Sequence, residues 1–126
     1  MRVVDTSAWI ELLISSSTGK IVEKYFPAQS ELIVPTIVQL ELAKWLTREM
    51  GEDQSDSAVA YTQNCIVVEL DTKIALFAAE LGAKHKLATA DSIVYATALY
   101  YGADVLTCDA HFVELDRVKF VEKAVD

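Results

Sequence analysis

Four acidic residues stand where a carboxylate could do chemistry, each at the edge of a predicted element or on a buried face: Asp5, Glu41, Asp91 and Asp109. Carboxylates that converge repel one another and destabilise the fold unless a cation neutralises them. An acid-rich set with no His or Cys cluster nearby favours Mg²⁺ or Mn²⁺ over zinc. Metals held in this way activate water and stabilise charge on a phosphate, so the set predicts phosphoryl-transfer chemistry.

Glu41 is the most informative of the four. At about 100° per residue from Ile37, Glu41 falls at about 40° and Trp45 at about 80°, so the carboxylate interrupts an apolar helix face. A carboxylate there costs free energy unless it is paired or bound to a cation. The structural alternative is a salt bridge to Lys44, three residues on, with Arg48 on the same stripe.

Each of the other three acids also has a structural use. Asp5, or Ser7 after it, could cap the following helix, and Asp109 could cap a short helical turn. Asp91 would suit the first turn of a helix, with Thr89 as its cap. Each acid alone fits either interpretation, whereas the four together favour a metal site.

Short β-branched strands alternate with helical patterns along the chain. The predicted strands cover residues 2–4, 31–34, 66–68, 104–107 and, at an edge, 118–121. The predicted helices cover about 7–14, 18–26, 36–50, 53–63, 72–84 and 89–101. This alternation predicts an α/β sandwich with a mainly parallel sheet. Ligands of such sheets bind beyond the carboxyl ends of the strands, where Asp5 and Asp109 are expected to lie.

Local signals predict where several helices begin and end. Thr36 and Gln39 are expected to form a capping box at the start of a helix, and Gly51 is expected to stop that helix. Asp71 and Gly82 are expected to bracket a later helix in the same way. The helix that begins near Asp91 is apolar nearly all round, which predicts a central position.

Length and composition are those of one globular domain: 126 residues, 52% hydrophobic and 24% charged. The chain reaches Asp5 too soon for a secretory signal, and its most apolar stretch, 93–106, is too short and interrupted to span a bilayer. Cys65 and Cys108 lack the spacing of a zinc site or a disulfide framework. They are expected to be reduced thiols, one of them buried, in a cytoplasmic protein.

Four segments in register resemble the PIN-domain ribonucleases. They are Val-Val-Asp5-Thr-Ser-Ala-Trp-Ile, Pro-Thr-Ile-Val-Gln-Leu-Glu41-Leu, Leu-Ala-Thr-Ala-Asp91-Ser-Ile-Val-Tyr-Ala-Thr-Ala and Ala-Asp-Val-Leu-Thr-Cys-Asp109-Ala-His-Phe. Their order, spacing and flanking elements match over about residues 1–121. The size of the chain resembles the toxin half of VapBC-type toxin–antitoxin pairs.

The resemblance implies a PIN-like three-layer sandwich as a single domain over 1–126, with Mg²⁺/Mn²⁺-dependent endoribonuclease activity. By this analogy Asp5, Asp91 and Asp109 would hold the metal, with Glu41 completing the acidic pocket. Ser7 and Thr107 match positions that support the metal ligands. Cleavage by a metal-activated water would leave 5′-phosphate and 3′-hydroxyl ends.

The net charge of −8 has the wrong sign for a protein that binds nucleic acid by bulk electrostatics. A nuclease of this composition needs cations in its acidic pocket and local basic residues for the RNA phosphates. Lys44 and Arg48 share the helical stripe of Glu41, and Lys84 and Lys86 precede the helix of Asp91. These four are the candidate phosphate contacts, with surface solubility as the alternative.

Residues near the first two helices supply more apolar surface than one short helix normally buries: Trp9, Ile10, Leu12, Leu13, Ile14, Tyr25 and Phe26. By family analogy this region would take up a segment of a small antitoxin and form part of a homodimer. The structural alternative, plain core, accounts for most of these side chains.

Other classes fit less well. An Asp-x-Asp phosphatase needs an acid where Ser7 stands, and a receiver domain needs a Lys where His111 follows Asp109. A metal-free ribonuclease needs paired histidines, whereas His85 is expected in a solvated loop and His111 in a turn. A non-catalytic RNA- or protein-binding module with this fold stays open as the alternative. DNA cleavage is chemically feasible too, because the mechanism does not use the 2′-OH.

Overall fold

A computed structural model describes residues 1–125 of the chain. These residues contain five strands and six helices in the order predicted from the sequence, with two helices between each consecutive pair of the first four strands. The strands are β1 (Arg2–Val4), β2 (Leu32–Pro35), β3 (Ile66–Val68), β4 (Asp104–Thr107) and β5 (Val118–Phe120). The helices are α1 (Thr6–Leu13), α2 (Ser17–Glu23), α3 (Thr36–Met50), α4 (Glu52–Gln63), α5 (Thr72–His85) and α6 (Thr89–Tyr100). Two short 3₁₀ turns span Gln29–Glu31 and Ala110–Phe112.

The strands form one parallel sheet in the order β3-β2-β1-β4-β5, which confirms the predicted fold class. The central strand β1 pairs with β2 through Val3 and Ile33, and with β4 through Val4 and Leu106. All four of these side chains are fully buried. Strands covered on both faces read as continuous apolar runs, which is how they could be found in the sequence. The carboxyl ends of β1 and β4 therefore meet in the middle of one edge.

Helix α6 packs against β1, β2 and β4. Every residue from 92 to 98 is buried, as its all-round apolar pattern predicts. The hydroxyl of Thr97, which would otherwise be an unpaired polar group, donates to the carbonyl of Ile93 (2.7 Å). This burial fixes the N-terminal turn of α6, and with it Asp91, against the centre of the sheet.

Helix α3 has the predicted bounds, 36–50, but two of the predicted signals for where helices begin and end are wrong. Strand β2 continues through Pro35, which pairs with Val68, so Thr36 becomes the first residue of α3 and forms no side-chain cap. The Gln39 amide donates instead to the hydroxyl of Thr62 (3.1 Å). Helix α5 runs past Gly82 to His85.

Two other boundary predictions are confirmed. The Asp71 side chain accepts from the backbone N–H of Ile74 (2.9 Å) and so caps α5. Gly51 ends α3 with a positive φ of 97°, a conformation that favours glycine. Lys86 adopts the left-handed conformation (φ 56°) that ends α5.

Both cysteines are free thiols, Cys108 buried and Cys65 half-buried, as the sequence predicts. Burial raises the pKa of the Cys108 thiol to about 11, with the charge of Glu11 as the next cause. The raised pKa favours the protonated thiol, which is the less nucleophilic form. Within residues 1–125, no helix has both the length and the apolar character that crossing a bilayer requires.

Candidate active site

Asp5 directly follows β1, and its carboxylate accepts a hydrogen bond from the end of β4. The side chain is 5% exposed, and its Oδ2 accepts hydrogen bonds from Ser7 Oγ (2.7 Å) and Thr107 Oγ1 (2.9 Å). Asp5 occupies the N-cap position of α1, but its side chain caps nothing. The structural alternative of a helix cap is therefore wrong for Asp5.

Two hydroxyls connect the end of β1 to the end of β4. Ser7 Oγ accepts from the backbone N–H of Cys108 (3.0 Å), and Thr107 Oγ1 accepts from the backbone N–H of Asp109 (2.9 Å). Each hydroxyl has one proton, which it donates to Asp5. Both side chains are thus fully oriented, and they fix the loop that carries Asp109 relative to Asp5.

Asp109 and Asp91 lie close together at the same edge. Asp109 caps the short 3₁₀ turn, accepting from the backbone N–H of His111 (2.9 Å) through Oδ1. Asp91 is in the first turn of α6 with its side chain 18% exposed. Both therefore have the structural role that the sequence allowed, and both still direct carboxylate oxygens at a shared space. One oxygen from each, together with a ring nitrogen of His111, falls within a mutual distance of 4.8 Å.

His111 is the member of this cluster that sequence reasoning missed. Its Nδ1 lies 3.1 Å from Asp109 Oδ1 and 3.7 Å from Asp91 Oδ2. The sequence could indicate only that His111 lies in the same turn as Asp109, whose side chain accepts from the His111 backbone N–H. It gave no signal for the direction of the ring.

Glu41 reaches the site from α3. Its Oε1 accepts a hydrogen bond from Thr6 Oγ1 (2.7 Å), which joins α3 to the start of α1. Among residues 1–125 no ion pair joins Glu41 to Lys44, and Arg48 pairs instead with its neighbour Glu49 (3.1 Å). The predicted salt-bridge alternative is therefore wrong, and a hydroxyl orients this carboxylate.

The four carboxylates act on one another electrostatically. Burial raises the pKa of Asp91 to about 6, helped by the negative charges of Asp109, Asp5 and Glu41 and opposed by His111. Burial also raises the pKa of Asp5, against the lowering effect of the hydrogen bonds from Ser7 and Thr107. The charges of Asp109 and Glu41 raise the pKa of Asp5 further, so the four acids lie near enough to act on one another. Asp5 and Glu41 stand outside the group within 4.8 Å that Asp91, Asp109 and His111 form.

This cluster fits a divalent cation. In the part of the chain that the structure describes, no Lys or Arg forms an ion pair with any of the four acids. The only basic partner of these acids among residues 1–125 is the exposed His111, which lies near Asp91 and Asp109. Four carboxylates with one such partner keep a net negative charge that destabilises the fold, and a bound cation removes that cost. Carboxylate oxygens are the ligands that Mg²⁺ and Mn²⁺ prefer.

The candidate phosphate contacts fall into two groups. Lys44 and Arg48 line a groove of about 440 Å³ that also contains Thr6, Glu41 and Trp45. Lys84 and Lys86 lie at the end of α5, and within residues 1–125 neither forms an ion pair with the acidic cluster. The solvated loop expected around His85 is wrong, because His85 closes α5 with its ring edge-on to Tyr95 (centroids 5.9 Å apart).

A second, apolar groove of about 460 Å³ runs between α1, α2, α3 and α4. Trp9 forms part of its floor, 2% exposed and edge-on to Phe26 (centroids 4.9 Å apart) and Tyr61 (6.0 Å). The buried Trp9 Nε1 has no hydrogen-bond partner within the described residues. The groove is lined by Trp9, Leu12, Leu13, Glu23, Phe26, Leu46, Met50, Gln54, Ser57, Ala58 and Tyr61. Of the predicted apolar surface, Trp9 is thus core, whereas Leu12, Leu13 and Phe26 are half-buried groove walls.

Solved structures share this fold over nearly the whole chain. A toxin–antitoxin complex from Klebsiella pneumoniae matches with a TM-score of 0.83 and 18% identity, over 98% of this chain and 100% of that one. VapC20 of Mycobacterium tuberculosis, a toxin that cleaves the sarcin-ricin loop, matches with a TM-score of 0.78 and 19% identity over 99% and 100%. DNA-bound VapBC from Salmonella typhimurium matches with a TM-score of 0.73 and 16% identity, over 96% of each chain.

At the level of sequence alone the similarity is more distant. No curated protein sequence matches the chain significantly. The family model described as the PIN domain, however, matches residues 2–118, which include all four acids, Asp5, Glu41, Asp91 and Asp109. The chain therefore belongs to the PIN-domain family.

Proposed function

We propose that the protein is an endoribonuclease that depends on Mg²⁺ or Mn²⁺. The observation that carries the proposal is the approach of four carboxylates, Asp5, Asp91, Asp109 and Glu41, at the carboxyl edge of the sheet, where within residues 1–125 no lysine or arginine forms an ion pair with them. Asp5, Asp91 and Asp109 would hold the metal, and Glu41 would complete the acidic pocket. The alternative is a non-catalytic RNA- or protein-binding module that keeps the fold.

The residues of the chain have separate tasks in this proposal. The bound cation would supply an activated water and neutralise charge on the scissile phosphate. Ser7 and Thr107 hold the Asp5 carboxylate in one orientation, which preorganises a ligand of the cation. Thr6 does the same for Glu41, which can hold a water or receive its proton. Because no step uses the 2′-OH, the products would have 5′-phosphate and 3′-hydroxyl ends.

The fold likeness supports RNA as the substrate. VapC20, one of the similar structures, is a toxin that cleaves the sarcin-ricin loop, an RNA element. The chemistry itself would also permit cleavage of single-stranded DNA. A substrate comparison is therefore part of the test.

The test is cleavage of fluorescent RNA and DNA pools by the purified protein with Mg²⁺ or Mn²⁺, beside EDTA. We expect RNA cleavage with either metal and none in EDTA, because without the cation nothing offsets the repulsion between the acidic pocket and the phosphate. Full activity in EDTA would contradict the metal mechanism. No cleavage in any sample, together with no metal binding by calorimetry, would favour the non-catalytic module.

We further propose that Lys44 and Arg48 guide the RNA backbone along their groove to Glu41. Both side chains are exposed and line the same groove as Thr6 and Glu41. Lys44→Glu with Arg48→Glu should weaken RNA binding by about tenfold or more at low salt. The slope of the logarithm of the binding constant against the logarithm of the salt concentration should fall by the equivalent of about two phosphate contacts. Binding would be measured with inactive protein in EDTA across a salt series.

Lys84→Glu with Lys86→Glu is the matched control, since it changes the net charge by the same amount. Lys84 and Lys86 are also candidate phosphate contacts, and the same measurement tests them. A larger loss of RNA binding in the Lys84/Lys86 variant than in the Lys44/Arg48 variant would contradict the groove proposal. Equal small losses in both would mean that the charges act only through the field of the whole protein.

We also propose a small antitoxin as the partner of the apolar groove. Several structures with this fold are complexes of a toxin with its antitoxin, including VapBC and FitAB. The groove offers half-buried apolar walls, and a peptide carbonyl could satisfy the unpaired Nε1 of Trp9. The expected homodimer stays a prediction, which sedimentation of the isolated protein will test.

A further inference from the structure

The exposed histidine at the acidic cluster lies at distances that also suit a shared cation. His111 Nδ1 lies 3.1 Å from Asp109 Oδ1 and 3.7 Å from Asp91 Oδ2. In an octahedral site with bonds of about 2.1 Å, neighbouring ligands lie about 3.0 Å apart and opposite ligands about 4.2 Å apart. The first distance matches neighbouring ligands and the second is shorter than that of opposite ligands, so one cation can reach the nitrogen and a carboxylate oxygen from each acid.

The ring of His111 lies at the two carboxylates without being packed there. Asp109 Oδ1 accepts from the His111 backbone N–H (2.9 Å), which closes the short turn, and the ring nitrogen lies near both carboxylates. The side chain is 78% exposed, so the fold gains little from packing it. The ring nitrogen is therefore accessible to a cation that the two acids hold.

We propose that His111 is a nitrogen ligand of the divalent cation at Asp91 and Asp109; this inference rests on the proposed function. The site then has a mixed nitrogen and oxygen donor set. Imidazole binds Mn²⁺ and later transition metals better than Mg²⁺, which prefers carboxylate and water oxygens. The site therefore prefers Mn²⁺ to Mg²⁺, and the preference comes from His111.

The test uses the full-length protein with Mn²⁺ alone and requires no RNA. Pulsed electron paramagnetic resonance of bound Mn²⁺ detects a directly coordinated ¹⁴N. We expect this nitrogen signal in the unchanged protein, its loss in His111→Gln, and its retention in His85→Gln, the only other histidine of the chain. Calorimetry should show Mn²⁺ affinity reduced about tenfold in His111→Gln, with a smaller change for Mg²⁺.

The outcomes separate this inference from the function on which it rests. Bound Mn²⁺ without a nitrogen signal, or a signal that survives His111→Gln, would overturn the ligand assignment and leave His111 as a hydrogen-bond donor to Asp109. RNA cleavage can be normal in that case. A nitrogen signal lost only in His111→Gln supports the assignment even if no RNA is cleaved. Failure of the unchanged protein to bind Mn²⁺ would overturn both proposals.

Discussion

Asp91→Asn should reduce RNA cleavage by about a thousandfold or more while it makes the metal-free protein more stable. The loss of activity follows from removal of a charged metal ligand, since stabilisation of phosphate charge by a metal contributes several kcal/mol and each 1.4 kcal/mol is about tenfold in rate. Asparagine has nearly the same shape as aspartate, so the fold keeps its packing. Single-turnover cleavage of a fluorescent RNA measures the loss.

The gain in stability follows from the raised pKa of Asp91, about 6 in the folded protein against an ordinary 3.8. A carboxyl group with a raised pKa holds its proton more tightly in the folded state. Folding stability due to Asp91 is therefore greatest below pH 4 and falls as pH rises from about 4 through about 6. Above that range the ionised Asp91 costs about 1–3 kcal/mol, which asparagine avoids.

Urea unfolding in EDTA between pH 4 and pH 8 measures this difference. The gap between Asp91→Asn and the unchanged protein should open as pH rises and should close again when Mg²⁺ or Mn²⁺ stabilises only the unchanged protein. Asp56→Asn, at an exposed position of α4, is the matched control and should change neither property. A variant that cleaves RNA normally, or a stability gap independent of pH, would contradict the proposed role of Asp91.

Most of the fold could be predicted from the sequence because local patterns and tertiary contacts agree. The apolar strand runs and the repeating helical patterns between them identify a parallel sheet. Two local end signals failed, although the bounds of α3 were correct. Pro35 pairs with Val68 and so takes the cap position from Thr36. Gly82 does not end α5, which continues to His85 and ends where Lys86 adopts the left-handed conformation.

The candidate site could be predicted only as far as the backbone determines it. Asp5 and Asp109 follow adjacent parallel strands, so topology alone places them at one edge. The apolar stripe of α3 indicated that Glu41 is half-buried. Its hydrogen bond to Thr6 depends on how α1 and α3 cross, which no periodicity reports. The position of His111 depends on a side-chain direction within a single turn, which sequence spacing does not fix.

The apolar groove should bind the antitoxin without contributing to RNA cleavage, so variants there should separate inhibition from activity. Met50→Arg with Ser57→Arg places two charges at exposed positions of the groove. Docked apolar side chains would have to desolvate both guanidinium groups, a cost similar to the loss of a binding hot spot. We expect binding of the antitoxin to weaken by about 100-fold or more, with RNA cleavage unchanged because neither position contacts the acidic cluster.

The measurement is RNA cleavage titrated with a small antitoxin protein that inhibits the unchanged chain. Leu76→Arg with Tyr100→Arg is the matched control, because it adds the same two charges at exposed positions outside the groove. If the Met50/Ser57 variant is fully inhibited at the same antitoxin concentration as the unchanged protein, the antitoxin docks elsewhere. Loss of cleavage in the same variant, with the fold intact, would mean that the groove and the acidic cluster are not independent. Retained cleavage that the antitoxin no longer inhibits is the outcome that makes the groove a regulatory surface, distinct from the site where RNA is cut.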